Sequence, residues 1–391
     1  MNGSSKSSSR LANLTNLLKG ANCDDSTKGK FESSKRKKVI FILLLVVLLA
    51  VVAIFVLGVG AVYVPFSETL KIFGHSLFPN YIDGPSVNYY TPIIYTYRAP
   101  RVIVGILAGV SLAVAGAAMQ SILRNPLVCP FTLGLSSAAS CGAAVAIVLG
   151  PTIFGSVYYT YINLWGTSIT IGWIFMVIVA FAFGLISVAI LLSLTSKRMV
   201  GQSTLILTGV VIGYLFSALL SYLKYASDET ALKDITLWLL GGMWGASWSA
   251  VIILIPIVIV GVLFLESYAV DLNTLSSGDD VAKNLGVNVK KLRTKILIIS
   301  ALVTSACMAF TGIIGFIGLM APHICRMIIG NDNRYLIPAS ALLGALILIS
   351  SDAIARVILA PNDLPVGIIM YAIGGVFFLL LVKKMSGGYE S

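Results

Sequence analysis

Long apolar runs recur along this chain between short polar breaks, each near the roughly 20 residues a helix needs to cross a bilayer core. Their hydropathy predicts an all-α polytopic membrane protein. Ten spans are expected, at 39–62, 97–122, 132–150, 169–195, 203–224, 249–266, 293–316, 317–330, 335–359 and 365–383. The eighth is short and weak, and charge decides whether it counts. With ten spans most loop Lys and Arg (Arg124, Lys197, Arg198 and the 283–295 cluster among them) fall on one side with the basic N-terminus. Lys71, Arg98, Arg101 and Arg356 fall on the other. That asymmetry satisfies the positive-inside rule and places both termini in the cytoplasm.

Two polar tails flank the pattern and three segments interrupt it. Residues 1–38 form a Ser-, Asn- and Lys-rich tail, expected to be a disordered, basic, cytoplasmic segment, and residues 385–391 a short cytoplasmic tail. Residues 39–384 are then the ten-helix membrane domain. Residues 63–96 make an outer loop, and residues 267–292 the longest cytoplasmic one. Around 231–247, Trp238 and Trp244 with three glycines suggest a short helix at the outer interface, where Trp concentrates.

Composition narrows the class. Hydrophobic residues make up 58% and charged residues 11%, against roughly 25% charged in a soluble domain. The net charge of +11 is split, since the first 38 residues hold nine Lys/Arg and three Asp/Glu. A basic tail abutting an apolar run is a topology signal or a contact with anionic lipid, not a nucleic-acid site. Five cysteines and two histidines show no metal-ligand spacing, so no metal site is expected. No Walker motif, G-x-S-x-G or H-E-x-x-H occurs, so the chain has no nucleotide or hydrolase centre of its own and no catalytic residue is assigned.

Several motifs carry physical content. R-A-P-R at 98–101 opens the second span at the outer interface. Arg98 and Arg101 either snorkel or dock an acidic partner, since guanidinium forks match carboxylates. Arg356, with Asp352 one turn away, belongs with them. The stripe Gly105, Gly109, Ala113 and Ala117 lets a neighbouring backbone approach closely. Arg124-Asn125-Pro126-Leu127 breaks the chain at the inner side, where its backbone groups need protein or water partners. Gly312, Gly315 and Gly318 precede Pro322 and His323, and a lone His here is a packing or capping group unless it serves as a ligand or proton carrier. In the cytoplasmic loop, 279–289 predicts a short amphipathic helix, a turn at Gly286 and a second helical piece. Val281, Leu285 and Val289 are expected on one face, which suggests a docked partner.

Together these residues resemble the permease subunit of type II ABC importers for metal chelates, the FecCD family. The matching elements are R-A-P-R (98–101), G-A-A-M-Q (116–120), R-N-P-L (124–127), A-K-N-L-G (282–286), G-F-I-G-L-M-A-P-H-I-C-R (315–326), N-R-Y-L-I-P (333–338), D-A-I-A-R (352–356) and L-P-V-G-I (364–368). Val128-Cys129 is a minor departure. The resemblance implies ten helices per subunit and a dimer of permeases, homo- or heteromeric, around a path lined mainly by the fifth span. It implies two cytoplasmic ATPase subunits, which would bind the ATP, and an extracytoplasmic binding protein. The cargo would be a ferric siderophore, with haem or cobalamin as alternatives. It implies that Arg98, Arg101 and Arg356 dock the binding protein and that Gln202 and Ser203 sit at a cytoplasmic gate. Asp279, Asp280, Ala282, Lys283, Leu285 and Gly286 would belong to the ATPase coupling loop. Arg124, Asn125, Pro126, Gly315, Gly318, Pro322, His323 and Asp352 would be structural. The competing reading is an ion- or proton-coupled secondary transporter, for which Asp352 and Glu266 are the nearest intramembrane acids. An intramembrane enzyme lacks a nucleophile–base constellation.

Overall fold

The computed structural model describes residues 25–81, 83–195 and 201–386. Residues 1–24 and 387–391 of the expected tails, and the inner charges Lys197 and Arg198, lie outside these. Helix α1 covers Asp25–Gly58. It therefore begins inside the segment expected to be disordered. Its span proper is Lys35–Gly58, and the same helix extends ten residues before it, from Asp25. It ends at Gly58, short of the expected residue 62.

Helix α2 (Phe66–Leu77) lies in the outer loop. Helix α3 runs over Tyr90–Leu123 and is 83% buried across its apolar window, which makes it the central stave. Its stretch Ile93–Arg98 is π-helical, just before the R-A-P-R segment. Helix α4 is Leu135–Phe154, α5 Ile171–Thr195, α6 Gln202–Ala226, α7 Glu229–Leu240 and α8 Trp248–Ser267. Two short cytoplasmic helices follow, α9 (Ala269–Ser276) and α10 (Asp279–Asn284). Then come α11 (Val289–Thr311), α12 (Ile317–Ile329), α13 (Asn333–Ile358) and α14 (Val366–Ser386).

The small-residue stripe packs α3 onto α13. A Cβ on Gly109 would lie 2.5 Å from the Gly344 carbonyl oxygen, and one on Gly344 would meet the Gly109 carbonyl oxygen at 2.6 Å. Any side chain would force the two backbones apart, so the glycines set the spacing of the central pair. Further down α3, a Cβ on Gly116 would fall 1.9 Å from the Gly318 carbonyl oxygen at the start of α12.

Nine described helices are long and apolar enough to cross a membrane; α12, with thirteen residues, is not. At 1.5 Å per residue it reaches about 20 Å. The expected eighth span is instead a half-helix preceded by the non-helical stretch 312–316. That stretch lies at membrane depth: Cys307, a turn before it, touches Ser111 Oγ of α3 at 3.2 Å, and Gly318 just after it abuts Gly116. Irregular backbone at this depth survives only against protein. Here the Gly242 N–H donates to the Thr311 carbonyl at 2.8 Å, and the Gly367 N–H to the Gly241 carbonyl at 3.2 Å. The loop after α7 and the start of α14 thus enclose the break. Counting this passage as a crossing returns the C-terminus to the side of the N-terminus.

A two-stranded antiparallel hairpin, β1 (Tyr161–Leu164) and β2 (Thr167–Thr170), occupies the outer side between α4 and α5. The sequence reading missed it. Trp165 and Gly166 both have positive φ (48° and 78°), the requirement of a tight two-residue hairpin turn. The outer-interface helix is found as α7, capped by Asp228, whose carboxylate accepts from the Ala231 N–H at 2.9 Å.

Candidate functional site

Two polar clusters mark the two faces of the bundle. At the outer face, α1 ends with carbonyls that have no helical partner. Arg98, at the π-helical turn of α3, donates from Nη1 to the carbonyls of Leu57 and Gly58 at 2.9 and 3.0 Å, and from Nη2 to that of Val62. Arg356, on α13, donates to Val59 at 2.8 Å and Val56 at 3.3 Å. Cationic side chains at a helix C-terminus also meet the negative end of its dipole. Asp352 sits between two guanidiniums, 3.1 Å from Arg356 Nε and 2.9 Å from Arg101 Nη2. Arg101 also pairs with Asp363.

These positions decide the roles open to the three arginines. Arg98 is 7% exposed and Arg356 4%. Neither lies on an exposed docking face of this chain; both close the end of α1. Only Arg101, its side chain 14% exposed and tied to the more open Asp363, reaches the rim. The expected pairing of Asp352 with Arg356 is present. The buried Asp352 is held by two cations, the arrangement of a structural carboxylate.

The inner cluster joins residues the sequence placed in three categories. Helix α3 ends in a Schellman-type cap: the Asn125 N–H donates to Gln120 at 3.2 Å and the Arg124 N–H to Ser121 at 3.4 Å. Arg124 takes the left-handed position (φ 42°). The Asn125 side chain accepts from the Leu127 N–H at 2.9 Å, and Pro126 ends the helix. The cap aims the Arg124 side chain at α10, where its Nη2 donates to Asp279 Oδ1 at 2.7 Å. Arg293 Nη2, from the first turns of α11, donates to the same oxygen at 2.9 Å, while its Nε donates to the Ile122 carbonyl at 3.2 Å. The Gln202 amide, its oxygen turned toward the arginines, accepts from Arg124 Nε and Nη2 at 2.8 Å each and from Arg293 Nη2 at 2.9 Å; its nitrogen donates to the Leu123 carbonyl at 3.1 Å. The ends of α3, α6, α10 and α11 thus meet at four side chains. A cavity of about 860 Å³ opens beside them, lined also by Leu192, Lys283 and Lys290. Arg293 was missed from sequence, where it counted only as one more inner positive charge. Ser203, next to Gln202, is exposed.

Around this node the remaining expected residues have structural places. Helix α10 keeps Ala282 buried and leaves Val281 45% and Leu285 68% exposed. Val289, expected on the same face, is instead buried in the core, because the turn at Gly286 (φ +87°) redirects the chain into α11. Asp280 pairs with Lys283 at 3.1 Å. The Gly318 carbonyl accepts from Gln120 Nε2 at 3.1 Å, and Gln120 Oε1 accepts from Arg326 at 2.9 Å. Gly315 faces the Tyr371 ring, and Pro322 is buried within α12. His323 stands edge-on to Phe377 with ring centres 6.0 Å apart, a packing role. A second network was not anticipated. The Asn273 amide donates to Asp332 at 2.7 Å and accepts from the Asn333 N–H at 2.7 Å, and Ser121 donates to Asn333 at 2.8 Å. Arg334, beside it, holds the Asp332 carboxyl at about 2, below its ordinary 3.8. No group of three or more metal-ligating residues occurs among the described residues.

Comparison with known proteins follows the same lines. Residues 29–384 match the model of the FecCD transport family. The ABC transporter permease protein MJ0087 of Methanocaldococcus jannaschii is 40% identical over 299 residues, 75% of this chain and 82% of its own length. The hemin transport system permease protein HmuU of Yersinia pestis is 36% identical, covering 73% of this chain and 82% of its own. The Fe(3+)-citrate import system permease protein YfmE of Bacillus subtilis is 33% identical, covering 85% and 91%. A solved metal-chelate type ABC transporter in an inward-facing conformation superposes with a TM-score of 0.72 at 28% identity, over 88% of this chain and 98% of that one.

Proposed function

The chain belongs to the FecCD transport family and is a multi-pass permease of the metal-chelate type of ABC importer in the plasma membrane; from that premise we propose that it carries a ferric siderophore, or alternatively haem or cobalamin, from an outer binding protein to the cytoplasm, driven by a partner ATPase. The observation that carries this reading is α10. It lies on the cytoplasmic side, outside the spans, and leaves Val281 and Leu285 uncovered beside an acidic first turn. Exposed apolar side chains on a cytoplasmic helix of a membrane protein call for a protein partner. An ATPase groove is the partner that a permease without a nucleotide motif requires.

The path is proposed to run along α6, in a dimer of two permeases. Its uncovered face mixes hydroxyls with apolar groups: Ser203, Tyr214, Ser221, Tyr222 and Tyr225 are exposed there. A lipid-facing helix has little use for such a row, whereas a hydrated path tolerates it. At the outer face, the binding-protein contact is assigned to the rim pair Arg101 and Asp363.

The test is uptake in proteoliposomes that contain this chain with its ATPase subunits, screened with ferric siderophores, haem and cobalamin. Uptake is expected to require ATP and the binding protein. Uptake that persists without the ATPase and collapses with an uncoupler would establish the secondary-transporter reading instead.

A further inference from the structure

The inner cluster has a geometry that ordinary capping does not require. The last carbonyls of α3 need donors, and Arg293 and Gln202 supply them at Ile122 and Leu123. Capping alone is complete at that point. Yet Gln202 also accepts from both Arg124 and Arg293, and both guanidiniums converge on one carboxylate oxygen, Asp279 Oδ1. Asp279 is the first residue of α10, and Gln202 the first residue of α6. Gly278, just before Asp279, has φ +128°, so α10 begins at a sharp bend in the chain rather than as an extension of α9. No backbone runs directly from α10 to α6; the side-chain node is the short route between them.

We infer that Asp279, holding Arg124 and Arg293 together, is the positioning residue through which a displacement of α10 is passed to the inner end of α6 at Gln202. The inference rests on the proposed role of α10 as the ATPase-contacting helix and names the link from that helix to the path. The charges account for the direction of transfer. With the carboxylate in place, two guanidiniums share one anion and both point their donors at Gln202. When Asp279 moves away with α10, the two like charges are left facing each other and separate. The hydrogen bonds that hold Gln202 at the end of α3 go with them. The cavity beside the node gives the end of α6 room to shift without displacing packed core.

The structural alternative is that the node merely staples the inner ends together, and two measurements on the full chain separate the readings. In the reconstituted importer, Asp279→Asn and Gln202→Leu are each expected to lower chelate uptake per ATP hydrolysed by about fivefold or more, the low end of couplings between sites. The ATPase should still copurify with both variants. The double variant is expected to be no worse than either single, because both lie on one route. The exchanged pair Asp279→Arg with Arg293→Asp is expected to recover much of the loss. Additive losses, or uptake per ATP unchanged in both singles, would overturn the inference. The second measurement needs no partner. Spin labels at the exposed positions Leu285 and Leu207, in a Cys23→Ser background, report the distance between α10 and α6. Asp279→Asn is expected to broaden that distance distribution, and an unchanged distribution overturns the link. Failure of ATP-driven uptake in the unsubstituted importer would instead refute the ATPase reading and leave the distance measurement to judge the node.

Discussion

At the scale of single residues, the outer arginines differ in what they hold. Arg98 donates to three backbone carbonyls and has no carboxylate partner among the described residues. Arg98→Ala leaves the Leu57 and Val62 carbonyls without their Arg98 donor beside a membrane helix end, while the Gly58 carbonyl keeps the Val64 N–H. An unmet buried polar group costs about 1–3 kcal/mol, and a clear drop in the detergent-solubilised Tm is expected. Arg101→Ala removes a rim side chain whose partners are acidic. It is expected to weaken binding-protein affinity in a pull-down or surface-binding assay, whereas Arg98→Ala should leave the affinity of whatever protein folds unchanged. Equal effects of both variants on affinity would return Arg98 to a docking surface. Asp332 supplies a pH dependence. Its folded carboxyl sits at about 2, against an ordinary 3.8, because Arg334 and Asn273 hydrogen-bond the ionised form. A depressed carboxyl contributes stability above its unfolded value that is lost as pH falls toward the folded one. Thermal stability of the native chain should therefore drop more steeply between about pH 4 and pH 2 than that of Asp332→Asn, measured by intrinsic Trp fluorescence.

At the scale of elements, α10 is six residues long, and Val281 within it and Leu285 at its C-cap are large exposed apolar side chains. Val281→Asp with Leu285→Asp should leave the membrane bundle folded, since neither residue contributes to the core, and should abolish copurification of the ATPase. Retained copurification would place the partner elsewhere. The elements also differ in how readable they were. The long spans announced themselves, because twenty apolar residues have few other uses. The break after Leu123 was legible from Asn125 and Pro126. The half-helix α12 was only partly so: its glycines signalled close approach, but its shortness depends on α7 and α14 enclosing the 312–316 stretch. The hairpin was hidden because Tyr161–Leu164 and Thr167–Thr170 are too short to stand out beside a membrane span, and Trp165-Gly166 between them is not one of the dipeptides that mark a tight hairpin. The inner node was the least legible. Asp279, Arg124 and Gln202 were each singled out for separate reasons. What joins them is spatial convergence at helix ends, and backbone carbonyls such as those of Ile122 and Leu57 leave no trace in side-chain sequence.

At the scale of the whole molecule, the burial of the spans is uneven. Helix α3 is 83% buried across its window, whereas α6 and α14 are each 22% buried. A single copy therefore leaves α6 largely uncovered. If α6 lines a hydrated route between two permeases, a cysteine at Tyr214, which is 73% exposed, should react with a membrane-impermeant thiol reagent in the assembled importer. A cysteine at Val260 of α8, 52% exposed, should stay unreacted because lipid covers it. In a Cys23→Ser variant the four remaining native cysteines are buried and give a low background. Equal labelling at both positions would place α6 in lipid and move the path elsewhere.

The clasp on the end of α1 also sets a timetable for making the protein. Its acceptors lie between Val56 and Val62 and are synthesised before both arginines. Arg98 follows Gly58 by 40 residues, but Arg356 follows Val56 by 300. At about 5–20 residues per second that second interval lasts on the order of 15–60 s. For that time, of the two arginines that clasp the outer end of α1, the chain has made only Arg98. Loss of that arginine then acts before the fold exists, by prolonging the period in which an unfinished chain is open to proteolysis. Its mark would be fewer completed molecules per message, in excess of what the stability of the finished protein explains.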